Sequence, residues 1–294
     1  MNNPFTGSGV ALVTPFTHDH EIDFPALKKL VQMQLDGGTD FLVIQGTTGE
    51  SPTLTSDEKS KVLDTVLEVN NGRLKIVFGV GGNNTRAVGE TLKAVPAGID
   101  GILSVSPYYN KPIQKGIIEH YKYIASCTDL PIILYNVPGR TGSNMLPETT
   151  LALSEISNIV AMKEASGNME QIMELIRLRP EGFGILSGDD ALTMPLIAAG
   201  ADGVISVVAN AFPKLFGEMV HASMSGDLTA ARKAHYALLP ITKMFFEEGN
   251  PGGVKASLAA QAVMTEAMRL PLFPVSDGLR SRIQKETHVL TTNS

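Results

Sequence analysis

The sequence NIVAMKEASG, residues 158–167, contains a short apolar run that ends in polar residues and glycine. The run IVAM is too short for a typical helix and is rich in β-branched residues, so it predicts a buried strand. Side chains alternate along a strand, which would place Lys163 on the same face as Ile159 and Ala161. Glu164 would then point the other way. The neighbouring carboxylate is therefore badly placed to pair with this lysine, although burying an unpaired ammonium group is costly.

The same pattern, an apolar run with a polar or glycine-rich end, occurs eight times along the chain. Amphipathic stretches separate the runs, and one of them has Thr55 or Ser56 as a candidate N-cap. Strands that alternate with helices pair in parallel, because each crossover needs a connection of helix length. Eight such strands predict an α/β fold, a closed (β/α)8 TIM barrel rather than a doubly wound open sheet. The runs are GVALVTPF (9–16), FLVIQGTTGE (41–50), KIVFGVGGNN (75–84), GILSVSPYYN (101–110), PIILYNVPGRTG (131–142), IVAMKEASG (159–167), GILSGDD (184–190) and GVISVVAN (203–210).

The polar ends of these runs indicate where a functional site would form. Barrel active sites lie at the carboxyl ends of the strands, so these ends should surround one pocket. The residues concerned are Thr14, Thr47–Thr48, Asn83–Asn84, Tyr108–Tyr109, Arg140, Lys163, Asp189–Asp190 and Asn210.

The chain from Gly226 onward has helical stretches and no strand pattern. We expect residues 1–225 to form the barrel and residues 226–294 to form a helical C-terminal region packed on it. With 294 residues, 43% of them hydrophobic, the chain is long enough for a sizeable core. The helical stretches lie at 227–249, 253–267 and 275–290.

Charge and composition exclude several classes of function. The net charge is −6 and no run of basic residues occurs, which argues against a nucleic acid or an anionic membrane as partner. No uninterrupted apolar window suggests a membrane span, and the first residues do not resemble a signal peptide, so we expect a cytoplasmic protein. The single cysteine, Cys127, excludes an intrachain disulfide.

Metal sites and a serine hydrolase triad are also disfavoured. All six histidines lie outside the strand ends, and the Asp189–Asp190 pair has no further ligand residue near it in sequence. We therefore expect no metal site.

Lys163 at a strand end suggests amine chemistry. A partly desolvated amine attacks carbonyl groups and forms Schiff bases, and such reactions need a group that moves protons. Tyr135, at the end of the preceding strand, is a candidate for this role. The alternative is a buried aromatic residue whose hydroxyl is satisfied by the protein.

Two further elements suit carboxylate groups. The turn GTTGES (46–51) offers the hydroxyls of Thr47 and Thr48 and flexible backbone N–H groups, although such turns are also common without function. Arg140 has a guanidinium fork that fits a second carboxylate, unless it is an ordinary solvated arginine in a loop.

Several of these motifs together resemble the dihydrodipicolinate synthase family. The resemblance runs from about Phe5 to beyond Leu272 and extends to the wider group of pyruvate-dependent class I lyases that includes N-acetylneuraminate lyase. The arginine of NVPGRTG and the PYYN element resemble the synthases more than the sialic acid lyases. The motifs are GTTGESPTL, SPYYNKP, ILYNVPGRTG, KEASGN, LSGDDA and GVISVVAN, in this order.

The resemblance implies a condensation of pyruvate with L-aspartate 4-semialdehyde, in which Lys163 forms the imine with pyruvate. It implies that Tyr135 is the general acid and base, linked to Thr47 and to Tyr109 in a proton relay. In the family, the tyrosine that matches Tyr109 comes from the adjacent subunit of a tight dimer, and two dimers associate. No metal or cofactor is implied. The remaining implied roles are Thr48 for the pyruvate carboxylate, Gly188 and Ile205 as pocket lining, and Arg140 for the carboxylate of the aldehyde.

The sequence departs from the family pattern at two places. Many relatives have Asn-Pro-Ile-Pro where this chain has NPGG at 250–253, which we expect to lie away from the chemistry. Ser51, Asn83 and Tyr108 match the site at which some relatives bind lysine as a feedback inhibitor. Other positions of that site differ, and the loss of an acidic contact with the gain of a like charge predicts weak or absent inhibition by lysine. The differing positions are Ser56 and Lys59 in place of histidines and Ala87 in place of a glutamate.

Other interpretations predict different results. Another member of the same lyase family would act on a different aldehyde, for example in N-acetylneuraminate cleavage. A non-catalytic barrel that binds a keto acid would form no covalent adduct. A phosphate-binding barrel isomerase would need a phosphate loop after the last two strands, where the sequence has no clear one.

Overall fold

Eight parallel strands close into a single barrel in the computed structural model, which describes residues 3–292. Neighbouring strands follow the chain order, and the last strand pairs with the first. Each of the eight predicted runs overlaps one strand, so the predicted (β/α)8 barrel is confirmed. The strands are β1 Gly7–Ala11, β2 Phe41–Ile44, β3 Lys75–Gly79, β4 Gly101–Val105, β5 Ile132–Asn136, β6 Ile159–Glu164, β7 Gly184–Ser187 and β8 Gly203–Ser206.

Helices surround the barrel and connect its strands. Of the two candidate caps, Thr55 caps the second helix, because its hydroxyl accepts from the N–H of Glu58 while the Glu58 carboxylate accepts from the N–H of Thr55. Among the described residues, no helix is both long and apolar enough to cross a membrane. The helices are α1 Phe24–Asp36, α2 Ser56–Asn70, α3 Thr85–Lys93, α4 Gln114–Ala125, α5 Pro138–Thr141, α6 Pro147–Ser154, α7 Met169–Leu178, α8 Thr193–Ala198, α9 Pro213–Ser225, α10 Leu228–Glu247, α11 Gly252–Ala260 and α12 Asp277–Thr292.

The barrel has two apolar layers. One cluster fills the lumen with side chains from all eight strands, and a larger one lies between the strands and the helices. The larger cluster continues into the C-terminal helices through Leu238 and Phe245 of α10 and Val254 of α11. The expected helical region thus packs on the barrel, while its boundary at residues 225 and 226 stays a prediction.

Strand β6 contains an irregularity that changes the predicted alternation. Ile132 pairs with Ile159 and Ile133 with Ala161, so Val160 is an extra residue that forms a bulge. Val160 and Ala161 both join the lumen cluster, whereas Ile159 packs in the outer layer. The prediction that Ile159 shares a face with Lys163 is therefore wrong, and the prediction for Ala161 is confirmed.

Helix α11 is shorter than the predicted stretch 253–267, because it ends at Ala260. The residues after it turn back over the end of β1, where the Thr265 hydroxyl donates to the carbonyl of Phe16 over 2.6 Å. The carbonyl of Ala267 accepts from the ammonium group of Lys255 at 2.9 Å. Side-chain hydrogen bonds thus replace the backbone bonds that would have continued the helix.

A repeated motif ties strands together at the amino ends of the barrel. Asp40, Asp100 and Asp202 each precede an even-numbered strand, and each carboxylate accepts an N–H from the strand before it. In all three cases the residue two positions earlier is a glycine with positive φ, at Gly38, Gly98 and Gly200. We refer to these three motifs as the Gly-x-Asp clasps. They join β1 to β2, β3 to β4 and β7 to β8.

Candidate active site

Lys163 and Tyr135 lie side by side in the lumen of the barrel. They are direct partners in the pairing of β5 with β6, and the Lys163 Nζ lies 4.3 Å from the centroid of the Tyr135 ring. Both are almost fully buried, with 5% and 7% of their surface exposed. Within residues 3–292, no hydrogen bond or ion pair engages the amine of Lys163. An amine held in this way is free to react with a carbonyl carbon.

Glu164 points away from the lumen, as predicted. Its carboxylate accepts from the amides of Asn136 and Gln171 and from the N–H of Ser166, at distances between 2.7 and 3.1 Å. Burial raises the pKa of Glu164, and these hydrogen bonds act in the opposite direction. Asn136 directly follows Tyr135, so its bond to Glu164 fastens β5 to β6 next to the lysine–tyrosine pair.

Gly188 and Ile205 line the lumen near the lysine. Ile205 belongs to the same buried cluster as Tyr135 and Ala161. The N–H of Gly188 donates to the carbonyl of Glu164 over 2.7 Å. A Cβ on Gly188 would lie 3.1 Å from the Lys163 Cε and 2.6 Å from the Ala165 Cβ. The absence of a side chain here therefore leaves room for the stem of the lysine.

We expect Gly188→Ala to slow imine formation with a keto acid about tenfold, because the new methyl group crowds the Lys163 Cε and shifts the reacting amine. Single-turnover trapping of the imine measures this rate. Gly278→Ala is the matched control, since a Cβ there meets nothing within 4 Å. Equal trapping rates in both variants would contradict the proposed role of Gly188.

The Thr47–Thr48 turn closes another side of the site. Residues Thr47–Gly49 form one turn of 3-10 helix, in which Thr48 is buried and Thr47 is exposed. The Thr14 hydroxyl donates to the carbonyl of Gly49 over 2.7 Å, which anchors the turn to the segment after β1. The Asn250 Nδ2 donates to the Thr48 hydroxyl oxygen over 2.9 Å.

The contact of Asn250 bears on one expectation from the sequence. The NPGG segment at 250–253 was predicted to lie away from the chemistry, but its first residue, which Asn-Pro-Ile-Pro relatives share, bonds to Thr48, to which the resemblance assigns the pyruvate carboxylate. Asn250 and Thr48 are 202 positions apart, and the sequence alone gave no sign of this contact. Asn250 is thus a partner of a predicted site residue that sequence reasoning missed.

Tyr109 and Arg140 stand at the rim. Tyr109 is 86% exposed and has a positive φ of 73°, and its N–H donates to the carbonyl of Thr141, next to Arg140. Arg140 lies on the short helix α5 and is exposed. Among the described residues of one chain, no hydrogen bond joins Tyr135 to Tyr109 or to Thr47. The relay implied by the resemblance is therefore not complete within a single chain.

Of the three residues that match the lysine-binding site of some relatives, Asn83 and Tyr108 form one pair and Ser51 forms another with Gln45. The Asn83 amide donates to the carbonyl of Tyr108 over 3.1 Å. The Ser51 hydroxyl donates to the Gln45 Oε1 over 3.4 Å, and the Gln45 amide donates to the carbonyl of Lys59. No hydrogen bond within residues 3–292 joins the two pairs.

The other polar residues at the strand ends fasten loops. Asp190 accepts from the Ser206 hydroxyl and from the N–H groups of Val207 and Val208, and burial raises its pKa to about 6. Asn210 bridges the carbonyl of Ala11 and the N–H of Val13, which ties β8 to β1. In the part of the chain that the structure describes, no cluster of three or more metal-ligating side chains occurs.

Comparison with known proteins agrees with this geometry. The sequence model of the dihydrodipicolinate synthetase family matches residues 4–289. The chain is 51% identical over 270 residues to the 4-hydroxy-tetrahydrodipicolinate synthase of Parabacteroides distasonis, which covers 91% of either protein. It is 47% identical over 289 residues to the enzyme of that name from Flavobacterium psychrophilum, covering 98% of this chain and 99% of the relative.

Solved structures extend the likeness to the whole fold. The dihydrodipicolinate synthase of Aquifex aeolicus superposes with a TM-score of 0.92 at 42% identity, over 98% of both chains. That of Thermotoga maritima gives a TM-score of 0.94 at 41% identity, over 98% of this chain and 100% of the other. With a family match over almost its full length, a matching barrel and the lysine–tyrosine pair in its lumen, the chain belongs to the dihydrodipicolinate synthetase family.

Proposed function

We propose that the protein is a 4-hydroxy-tetrahydrodipicolinate synthase, a Schiff-base-forming class I lyase that condenses pyruvate with L-aspartate 4-semialdehyde. The observation that carries this proposal is the amine of Lys163, which has no hydrogen-bond or ionic partner among residues 3–292 and lies beside Tyr135 in the apolar lumen of the closed barrel. Relatives of about half identity bear this name. The reaction belongs to lysine and diaminopimelate biosynthesis, and we propose a cytoplasmic location for it.

The reaction begins when the Lys163 Nζ attacks the keto carbon of pyruvate. Water leaves, and the resulting imine withdraws electrons, so that the methyl group of pyruvate loses a proton without a strong base. The enamine then attacks the aldehyde carbon, and the amine of the second substrate displaces Lys163 as the ring closes. The Tyr135 hydroxyl gives and takes the protons in this proposal, which is supported by the position of Tyr135 beside the reacting amine, with the Lys163 Nζ 4.3 Å from its ring centroid.

The two carboxylates bind at opposite parts of the site in this proposal. The Thr48 hydroxyl oxygen already accepts from Asn250, so its own proton is available to the pyruvate carboxylate. Gly188 and Ile205 shape the lumen around the pyruvate carbon atoms. Arg140 receives the carboxylate of the aldehyde at the rim.

Tyr109 completes the relay in a second copy of the chain. Its side chain is exposed on the loop after β4, and Tyr108 and Ile113 are exposed on the same loop. Apolar and aromatic side chains in one loop favour contact with another protein surface. We propose a tight dimer in which Tyr109 reaches the Tyr135 and Thr47 of the partner, with two such dimers forming a tetramer.

The test of the function compares two reactions. We expect product from pyruvate and L-aspartate 4-semialdehyde and no cleavage of N-acetylneuraminate. The opposite result would make the protein a different lyase of the wider group. If the protein forms no product in either reaction and binds pyruvate without a covalent adduct, it is a non-catalytic barrel.

Arg140→Ala is expected to raise the KM for L-aspartate 4-semialdehyde 10- to 100-fold, roughly the loss of a charge-assisted hydrogen bond pair, while the KM for pyruvate stays within twofold. Arg140→Lys should recover only part of the loss, since a lysine cannot form the bidentate contact. Steady-state kinetics with each substrate varied in turn measures both constants. A larger change for pyruvate than for the aldehyde would refute this assignment.

Lysine should inhibit weakly or not at all, because Ala87 lacks the acidic contact for a cationic amino acid and Lys59 adds a like charge. The measurement is initial velocity as lysine concentration increases at constant ionic strength. Strong inhibition at sub-millimolar lysine would refute this prediction. Ornithine, which has the same charge, controls for a general cation effect.

A further inference from the structure

A fully buried ion pair lies beneath the Thr47–Thr48 turn. The Lys255 ammonium donates to the Glu50 Oε1, and the side chains of both residues are 0% exposed. The ammonium also donates to the carbonyl of Ala267 over 2.9 Å and lies 4.4 Å from the centroid of the Phe16 ring. Burial lowers the pKa of Lys255 to about 8, and the neighbouring Glu50 acts in the opposite direction.

Glu50 is joined directly to the turn that should bind pyruvate. Its N–H donates to the carbonyl of Thr47 over 3.1 Å, and its carbonyl accepts from the N–H of Thr53. The backbone of Glu50 has a positive φ of 53°, which is unfavourable for a residue other than glycine. Surrounding contacts must therefore hold this conformation.

The contacts that hold Glu50 come from the C-terminal helical region. Besides Lys255, the N–H of Arg269 donates to the Glu50 Oε2 over 3.1 Å. From the same region, Asn250 donates to Thr48. The turn is thus held at its centre by Asn250 and at its end by Lys255 and Arg269.

Stability alone is a weak explanation for such a pair. Two apolar side chains of similar volume would fill the same space without the cost of removing charges from water. A charged pair with directed hydrogen bonds instead fixes one orientation of the groups that it joins.

We propose that Lys255 is a positioning residue, which holds Glu50 and thereby sets the Thr47–Thr48 turn in the geometry that receives the carboxylate of the keto acid. This inference rests on the proposed function, because it takes pyruvate as the ligand of that turn. It assigns to the C-terminal region a direct part in substrate binding.

The experiment compares Lys255→Met with the double variant Lys255→Met/Glu50→Gln. The single variant leaves a buried carboxylate without its partner, so both its thermal stability and its affinity for pyruvate should fall. The double variant removes that charge and should regain most of the thermal stability. Its KM for pyruvate should nevertheless remain about tenfold above that of the wild type, because the directed contact is missing. The KM for the aldehyde should change less than twofold.

Two contrary results are distinguishable. If the double variant regains both stability and the wild-type KM for pyruvate, the pair is only structural and the inference is wrong. If the wild type itself forms no imine with pyruvate after borohydride reduction, the proposed function fails instead. Lys28→Met, which breaks the exposed ion pair with Glu68, is the control. It should leave the KM for pyruvate and the KM for the aldehyde unchanged.

Discussion

Borohydride reduction in the presence of pyruvate is expected to add one reduced pyruvate to Lys163 of the wild-type protein and none to Lys163→Ala. The physical reason is that only this amine lies in the lumen next to Tyr135 without a hydrogen-bond or ionic partner among residues 3–292. Without the imine, the methyl group of pyruvate has no electron sink. The rate of condensation should therefore fall at least 10⁴-fold, on the order expected for losing a covalent intermediate.

Intact mass and peptide mapping measure the adduct, and a coupled assay measures the rate. Lys163→Arg keeps the positive charge but forms no imine, so it should be as inactive as the alanine variant. Lys75→Ala, at the opposite end of the barrel where the ammonium donates to the carbonyl of Pro4, should trap pyruvate like the wild type. An adduct of unchanged stoichiometry in Lys163→Ala would exclude the mechanism.

Tyr135→Phe should lower kcat by about 10²- to 10³-fold, the usual contribution of a general acid or base. The phenyl ring keeps the buried packing against the lysine, so the loss reports on the hydroxyl group alone. Imine trapping should still occur at long incubation times, because the nucleophile is present.

Tyr236→Phe is the control for this prediction. Tyr236 lies on α10 with 65% of its surface exposed, and no hydrogen bond engages its hydroxyl among residues 3–292. Loss of this hydroxyl should leave thermal stability unchanged and kcat within twofold. A Tyr135→Phe variant that retains a third or more of wild-type kcat would contradict the assigned role.

The barrel was predictable because each strand is a short apolar run and each ends in polar residues. Such a pattern depends only on local sequence. The bulge at Val160 was not predictable, since the rule of alternation assumes a regular strand and the residues on both sides of the bulge are equally apolar. The early end of α11 was also missed, because the bond from the Thr265 hydroxyl to Phe16 that follows it joins residues 249 positions apart.

In the candidate site, the residues at strand ends were predictable from local sequence and the contacts between distant segments were not. Lys163 and Tyr135 were found because the carboxyl ends of consecutive strands are neighbours in a barrel. Asn250 was not found, since its bond to Thr48 spans 202 positions and belongs to a helical region without strand signals. In our proposal, Tyr109 contacts Tyr135 and Thr47 of a second chain. The sequence pattern of one chain does not predict how two chains pack together.

The Gly-x-Asp clasps have a consequence for how this barrel divides into modules. Three consecutive-strand pairs are each closed by the same short motif, so the modular unit is two strands long. In the fourth pair, β5 and β6, the bulge lies at the amino ends of the strands, where the other pairs have their clasp. At this position the backbone carbonyl of Asn158 accepts the N–H of Ile132. That exceptional module contains Lys163, Tyr135 and the Asn136–Glu164 bond that fixes their register. One continuous segment of chain thus encodes the reactive amine, the residue that carries its protons and the hydrogen bond that aligns the two strands. In the design of new barrel enzymes, this segment is a unit to transfer as a whole.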